Sequence, residues 1–230
     1  MIPPKPEGEL FVFLKESLKI ATVGIANPFI ETFIKTNYYQ NLEIFLNDLV
    51  SEIEYLSLKI TEYSFDNLLQ NEEFITIFVR CVEVARRNHK EEKREYLKNA
   101  IINSVRYKSS TDLSQIFIRY IDELNVDQIQ LLKNIADNPE IIGVPDSYKT
   151  FHTRYNRDIA KISYPVDVLA MYLNDLKSKG LIDINPGYQN INYSPLQLSV
   201  QHGARKPNMM ILNLAHEFLD FILKTPKVEK

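Results

Sequence analysis

The residue types that do chemistry are few in this chain and widely separated. Four histidines, His89, His152, His202 and His216, stand far apart, and Cys81 is the one cysteine. A metal site needs imidazole, thiolate or carboxylate ligands at close, fixed spacings. "HEF" at 216–218 lacks a second histidine four residues on, so no metal-ligand set is assigned. Asp146 after Pro145, with the triplet Asp175–Leu176–Lys177, superficially matches a nuclease pattern in which carboxylates hold a divalent ion. That pattern needs its second element on a strand, whereas the apolar spacing puts Asp175 and Lys177 in mid-helix. No G-x-S-x-G elbow anchors a serine nucleophile, and the six glycines form no phosphate-cradling loop. The chain is therefore expected to be no enzyme and to carry no cofactor.

What remains is charge. In "EVARRNHKEEKREYLKNAIINSV", residues 83–105, apolar side chains recur at helical spacing up to Ala85, vanish, and resume at Tyr96 and Leu97. As one helix, the ten intervening residues would span about 15 Å without an apolar side chain. Arg87–Glu91, Glu91–Arg94 and Glu95–Lys98 fall at neighbour spacings that support a solvated helix. The sharper reading is a cationic site. Arg86, Arg87, Lys90, Lys93, Arg94 and Lys98 outnumber the acids between them, and the site would meet an acidic partner, phosphate or RNA. Globally the chain gives no such signal: Lys+Arg total 27 against Asp+Glu 30, a net charge of −3.

Stepping along the chain, the elements that would position these groups are mostly helices. Residues 1–8 read as a Pro-rich tail, and Leu10 to about Thr36 as helical, with a kink or a new start at Pro28. Leu42, Phe45, Leu46, Leu49, Ile53, Leu56 and Ile60 make one apolar stripe. Ser64 and Asn71 read as starts of a short and a longer helix, the latter opening on Glu72 and Glu73. Ser110 or Thr111 starts another, with Phe117, Tyr120 and Ile121 inward; Asn125 starts the next and Pro139 ends it. The stretch 141–162 reads as a turn near Gly143–Asp146 followed by a helix.

From Pro165 the texture changes. A helix with Leu169, Leu173 and Leu176 inside ends at Gly180, "LIDI" and "NMMILNL" read as paired strands around a loop, and "AHEFLDFILK" closes as a helix. "PLQLSVQH" also alternates as a strand should. Helices ending in "KGLI", then strand, loop, strand and helix, resemble a winged helix-turn-helix unit over about residues 124–224. A DNA-reading helix presents basic and amide side chains to the groove. This one offers Asp167, Asn174 and Asp175 before Lys177 and Lys179, with Arg205 and Lys206 on the wing.

The series "NEEF" (71–74), "HKEEKREYLKNAIINS" (89–104) and "FIRYIDELNVDQIQLLKNI" (117–135) resembles a family of bacterial helical proteins linked to abortive infection and phage defence. That resemblance implies a cytosolic, mostly helical protein with no assigned active site. The resulting expectation is a mainly α fold, a helical bundle over 9–108 followed by a winged-helix-like α+β unit with a small hairpin over 109–226. The function expected is that of a non-enzymatic interaction or regulatory protein, with a protein partner or a second copy of itself. One alternative is a nucleic-acid-binding regulator that uses Arg86, Arg87, Lys90, Lys93, Arg94, Lys98, Arg205 and Lys206. Another is a membrane-surface effector that uses residues 10–37, where Lys15, Lys19 and Lys35 flank apolar residues. No segment reaches the roughly 20 apolar residues of a membrane span.

Overall fold

A computed structural model describes residues 28–105, 111–139, 148–158, 164–184 and 209–224, and across them the chain is mainly helical with one two-stranded antiparallel sheet. Its contacts divide it into two compact units, Met1–Glu123 with Phe221–Lys230, and Leu124–Asp220.

The first unit begins with α1, Pro28–Ser57, a single helix that runs straight through the junction near Thr36 where the sequence suggested a change of element. Leu42, Phe45, Leu46, Leu49, Ile53 and Leu56 are buried on one face, as the apolar stripe predicts. Ile60 falls past the end, in the turn that leads to a 3-10 segment at Thr61–Tyr63. The short α2, Phe65–Gln70, follows Ser64 and buries Leu68. Asn71 then caps α3, Glu72–Arg87, by accepting from the Phe74 N–H at 3.0 Å, and Glu72 and Glu73 sit at the positive end of the helix dipole.

α3 is the hub of this unit. It packs on α1, on α2, on α4 (Glu91–Ser104) and on α5 (Thr111–Glu123). It buries Phe74, Ile77, Phe78, Cys81, Val82, Val84 and Ala85. The inward residues Phe117, Ile118 and Ile121 of α5 complete the hydrophobic layer with α3 and α4. Apolar area removed from water, worth roughly 25 cal/mol per Å2, outweighs the sequence distance between these elements.

Burial pushes the Cys81 thiol well above its ordinary value of 9.0. The folded state therefore holds this proton more tightly than the unfolded chain does. Its stabilising contribution is whole below that ordinary value and is lost as pH climbs above it. The urea midpoint is expected to fall between about pH 8.5 and pH 10.5, and to fall less steeply in Cys81→Ala, since each fully buried acid can cost up to about 1.4 kcal/mol per pH unit. Tyr155 and Tyr164, also raised by burial, keep part of the loss in the variant; Lys93, lowered by burial, works in the opposite sense. Parallel curves for the two proteins would contradict this account.

The second unit starts at a capping box. Asn125 accepts from the Gln128 N–H, and the Gln128 side chain accepts from the Asn125 N–H, each at 2.8 Å, which opens α6, Val126–Asp137. α7 is Tyr148–Asp158 and α8 is Val166–Ser178, with Pro165 at its N-cap. α8 ends in a Schellman motif: Gly180, at φ 68, donates to Lys177, and the Leu181 N–H donates to Leu176. β1 (Ile182–Ile184) pairs antiparallel with β2 (Met209–Ile211), with Asp183 opposite Met210.

The order α6–α7–α8–β1–β2–α9 is the one expected from the sequence, with α9 at Asn213–Leu223. "PLQLSVQH", the turn near Gly143–Asp146, the helix over 10–27 and the tail over 1–8 lie outside the described residues.

Candidate interaction surfaces

The charged stretch that interrupts the apolar pattern is the corner between α3 and α4. Arg86 and Arg87 close α3, Asn88 caps it, and Glu91 and Glu92 open α4. Cations at a helix C-terminus and acids at the next N-terminus both favour the dipoles they meet, so the sequence there stops one helix and starts another. Asn88 donates through its backbone to the Ala85 carbonyl and through its side chain to the Val84 carbonyl. Two carbonyls that a helix end leaves without partners are thereby satisfied.

Four of the corner's cations have partners within their own unit. Lys93 is 7% exposed, and its Nζ donates to the Asp122 carbonyl at 2.8 Å. Arg87 meets the Asp122 carboxylate at 2.9 Å. α5 has no basic residue in its last turn, and Lys93 and Arg87 supply that charge from neighbouring elements. Burial holds the Lys93 ammonium below the usual lysine value; Asp122 opposes the shift and Lys90 adds to it. Arg94 donates to the His89 carbonyl at 3.0 Å and reaches Asn41 at 3.4 Å. Lys98 pairs with Glu95 at 2.8 Å.

Lys90 is exposed just before α4, and Arg86 is half-buried in the last turn of α3. The six predicted site residues between 86 and 98 thus share one corner of the chain, and Arg87, Lys93, Arg94 and Lys98 each have a partner within their own unit. Arg205 and Lys206 lie outside the described residues.

Lys93→Met keeps the aliphatic stem and removes the charged donor. It is expected to lower the stability of the first unit by about 1.5–3 kcal/mol, the range for a hydrogen bond to a charged group. Arg87→Met, at a partly exposed pair, is expected to lower it by about 0.2–1 kcal/mol. Urea unfolding of both variants checks the order, and a larger loss in Arg87→Met would contradict it.

In the second unit the side chains of α8 divide cleanly. Leu169, Leu173 and Leu176 are buried, while Asp167, Met171, Asn174 and Ser178 are exposed at i, i+4, i+7 and i+11. Asp175, read from sequence as an outward carboxylate, accepts from Gln128 Nε2 at 2.7 Å and pairs with Lys179 at 3.3 Å. Lys177 donates to the Ile184 carbonyl at 2.7 Å, tying α8 to the end of β1. The lysines at the end of this helix therefore hold its own unit together.

Behind α8 stands an aromatic chain that sequence reading did not single out. Phe151 and Tyr155 stack at 5.7 Å, Tyr155 meets Tyr164 at 6.4 Å, and Tyr164 meets Tyr172 edge-on at 6.0 Å. The Tyr155 hydroxyl accepts from Asn134 at 2.9 Å. Burial, with Asp127 beside it, pushes Tyr164 up to about 12. His152 Nε2 lies 2.6 Å from the Tyr164 carbonyl and 2.8 Å from Asn156 Nδ2. Asn156 both donates to that carbonyl and accepts from the Tyr164 N–H, so its amide stands in for a strand neighbour. These polar groups are engaged in positioning the α7–α8 connection.

Among the described residues no three His, Cys, Asp or Glu side chains group as metal ligands, and no helix is long and apolar enough to cross a membrane. A family model described as abortive infection alpha matches residues 37–211. No curated protein and no solved structure matches the chain.

Proposed function

The chain belongs to the abortive infection alpha family, and from that premise we propose that this phage-defence-associated protein is a non-enzymatic interaction or regulatory component that acts in the cytoplasm through contact with another protein. The observation that carries the reading is where the charges go. Phosphate backbones are bound by cations free to replace counterions. At the α3–α4 corner Arg87, Lys93, Arg94 and Lys98 are engaged within their own unit. On α8, whose place in the order of elements corresponds to the reading helix of a winged-helix module, the exposed stripe holds an aspartate and no cation. Such a module is suited to a protein surface.

The nucleic-acid alternative retains Arg86 and Lys90, together with Arg205 and Lys206 of the wing. The membrane alternative retains residues 10–37, of which 28–37 form the start of α1. One comparison separates the readings. Full-length protein is passed over immobilised duplex DNA, structured RNA and anionic vesicles at about 50 mM salt, where electrostatic binding is strongest. Flow-through on all three is expected, along with reduced phage plating when the chain is expressed in a bacterial host. Retention on nucleic acid that fades as salt rises would replace this reading with the first alternative. Retention on vesicles, lost when residues 10–27 are deleted, would replace it with the second.

A further inference from the structure

We propose that the end of α9, Phe221–Lys224, is a releasable latch on α4, and that the part of the same helix belonging to the second unit sets whether it stays closed. The device is independent of what the protein contacts.

α9 runs without a break from Asn213 to Leu223, yet the division between the two units falls inside it, after Asp220. Its end is gripped by two side chains one turn apart on α4. Asn103 Nδ2 donates to the Phe221 carbonyl at 2.8 Å and to the Lys224 carbonyl at 2.7 Å, and Asn99 Nδ2 donates to the Ile222 carbonyl at 3.0 Å. The Phe221 ring meets Phe117 of α5 at 5.4 Å. α9 has no basic residue in its last turn, so neutral amides meet the negative end of its dipole.

These carbonyls point the same way only while the backbone that carries them is helical. A turn that short cannot hold itself, because the first turn of a helix fixes several residues for one hydrogen bond. The helix is supplied by residues 213–220, which belong to the second unit and bury Ala215 and Phe218 completely. The grip on α4 therefore depends on a stretch of chain outside the first unit.

The closed state is also incomplete. Asn99 is 5% exposed, and its Oδ1 is buried with no partner. A buried acceptor left unmatched offsets part of what the bonds gain, and water satisfies it on opening. The latch is thereby held shallow enough to open while the rest of the first unit stays folded. Anything that bends or unwinds α9 in the second unit releases it, and anything that stiffens α9 there closes it, so the first unit reports an event at the second.

His216 and Glu217 are exposed on the second unit's part of α9. H216G/E217G lowers the helix preference of that stretch and H216A/E217A raises it, in both cases outside the core. In full-length protein labelled with 15N at asparagine, NMR follows solvent exchange of the Asn99 and Asn103 side-chain amides. Mass spectrometry follows backbone exchange over residues 214–220 and over residues 42–56 of α1. The glycine pair is expected to speed exchange of both side-chain amides and of 214–220 about threefold to tenfold. The alanine pair is expected to slow them by about the same factor, with 42–56 unchanged in each protein. Coupling is reciprocal, so Asn99→Ala is expected to speed exchange over 214–220 about twofold to fivefold.

Side-chain amides that keep the parent rate while 214–220 opens in the glycine pair would overturn the latch. So would an equal rise over 42–56, which means that the first unit unfolds as a whole, or unchanged exchange over 214–220 in Asn99→Ala. Should the glycine pair not fold, the alanine pair decides alone: side-chain exchange no slower than in the parent overturns the assignment.

Discussion

Asn103→Ala is expected to destabilise the first unit by about 2–4 kcal/mol, against about 1 kcal/mol for Asn99→Ala, although both asparagines lie buried on the same face of α4. The difference follows from what each side chain satisfies. Asn103 Nδ2 donates to the Phe221 carbonyl at 2.8 Å and to the Lys224 carbonyl at 2.7 Å. A helix leaves its last carbonyls without partners, and a buried one that loses its donor costs its full desolvation. Asn99 makes one such bond, to Ile222 at 3.0 Å, and its Oδ1 is buried with no partner. Replacing Asn99 by alanine removes an unsatisfied acceptor along with a donor, and the two effects partly offset. Urea unfolding followed by circular dichroism measures both, and equal losses would refute the assignment.

In the second unit the largest expected loss comes from Tyr155→Ala, about 3–5 kcal/mol, the range for deleting a fully buried aromatic ring. Tyr155 is 2% exposed and links Phe151 to Tyr164, so its removal opens a gap in the middle of the aromatic chain. Tyr155→Phe keeps the ring and loses only the bond from Asn134, and about 0.5–1.5 kcal/mol is expected. Amide hydrogen exchange in α6 and α7 reports this unit by itself. Protection there should collapse in the alanine variant and fall modestly in the phenylalanine variant. An alanine variant with unchanged protection would show that the ring chain does not hold the unit.

Much of the architecture was legible because helix ends are written locally. Asn71, Asn125, Pro139 and Gly180 mark boundaries by their own backbone and side-chain chemistry, and the structure uses each of them near the expected place. The apolar stripe of α1 and the pairing of "LIDI" with "NMMI" are legible for the same reason: period and sign suffice. The charged corner was half legible. The cations, the asparagine and the acids at 86–92 spell a stop followed by a start, and counting only the charges obscures it.

What was not legible depends on long-range pairing. Nothing near Lys93 says that it will be buried, because its partner is a backbone carbonyl contributed by α5. Asn99 and Asn103 look like ordinary polar residues of a helix until the end of α9 arrives above them. The partners of α5 are of the same kind: its apolar face is legible, and only packing selects α3 and α4 as what it meets. For the α8 stripe the residue types were legible, but not that Asp175 and Lys177 would bond to Gln128 and to the Ile184 carbonyl.

The first unit is written in two instalments, with the whole of Leu124–Asp220 between them. A ribosome adding about 5–20 residues per second needs roughly 5–20 s to cross that interval. During that time the layer formed by Phe117 and α4 waits for Phe221 and Ile222, which complete it. Nascent chains of this protein should therefore pass through a window of chaperone dependence that closes only after the second unit has been translated. A stop codon just before Phe221 would leave that window open permanently.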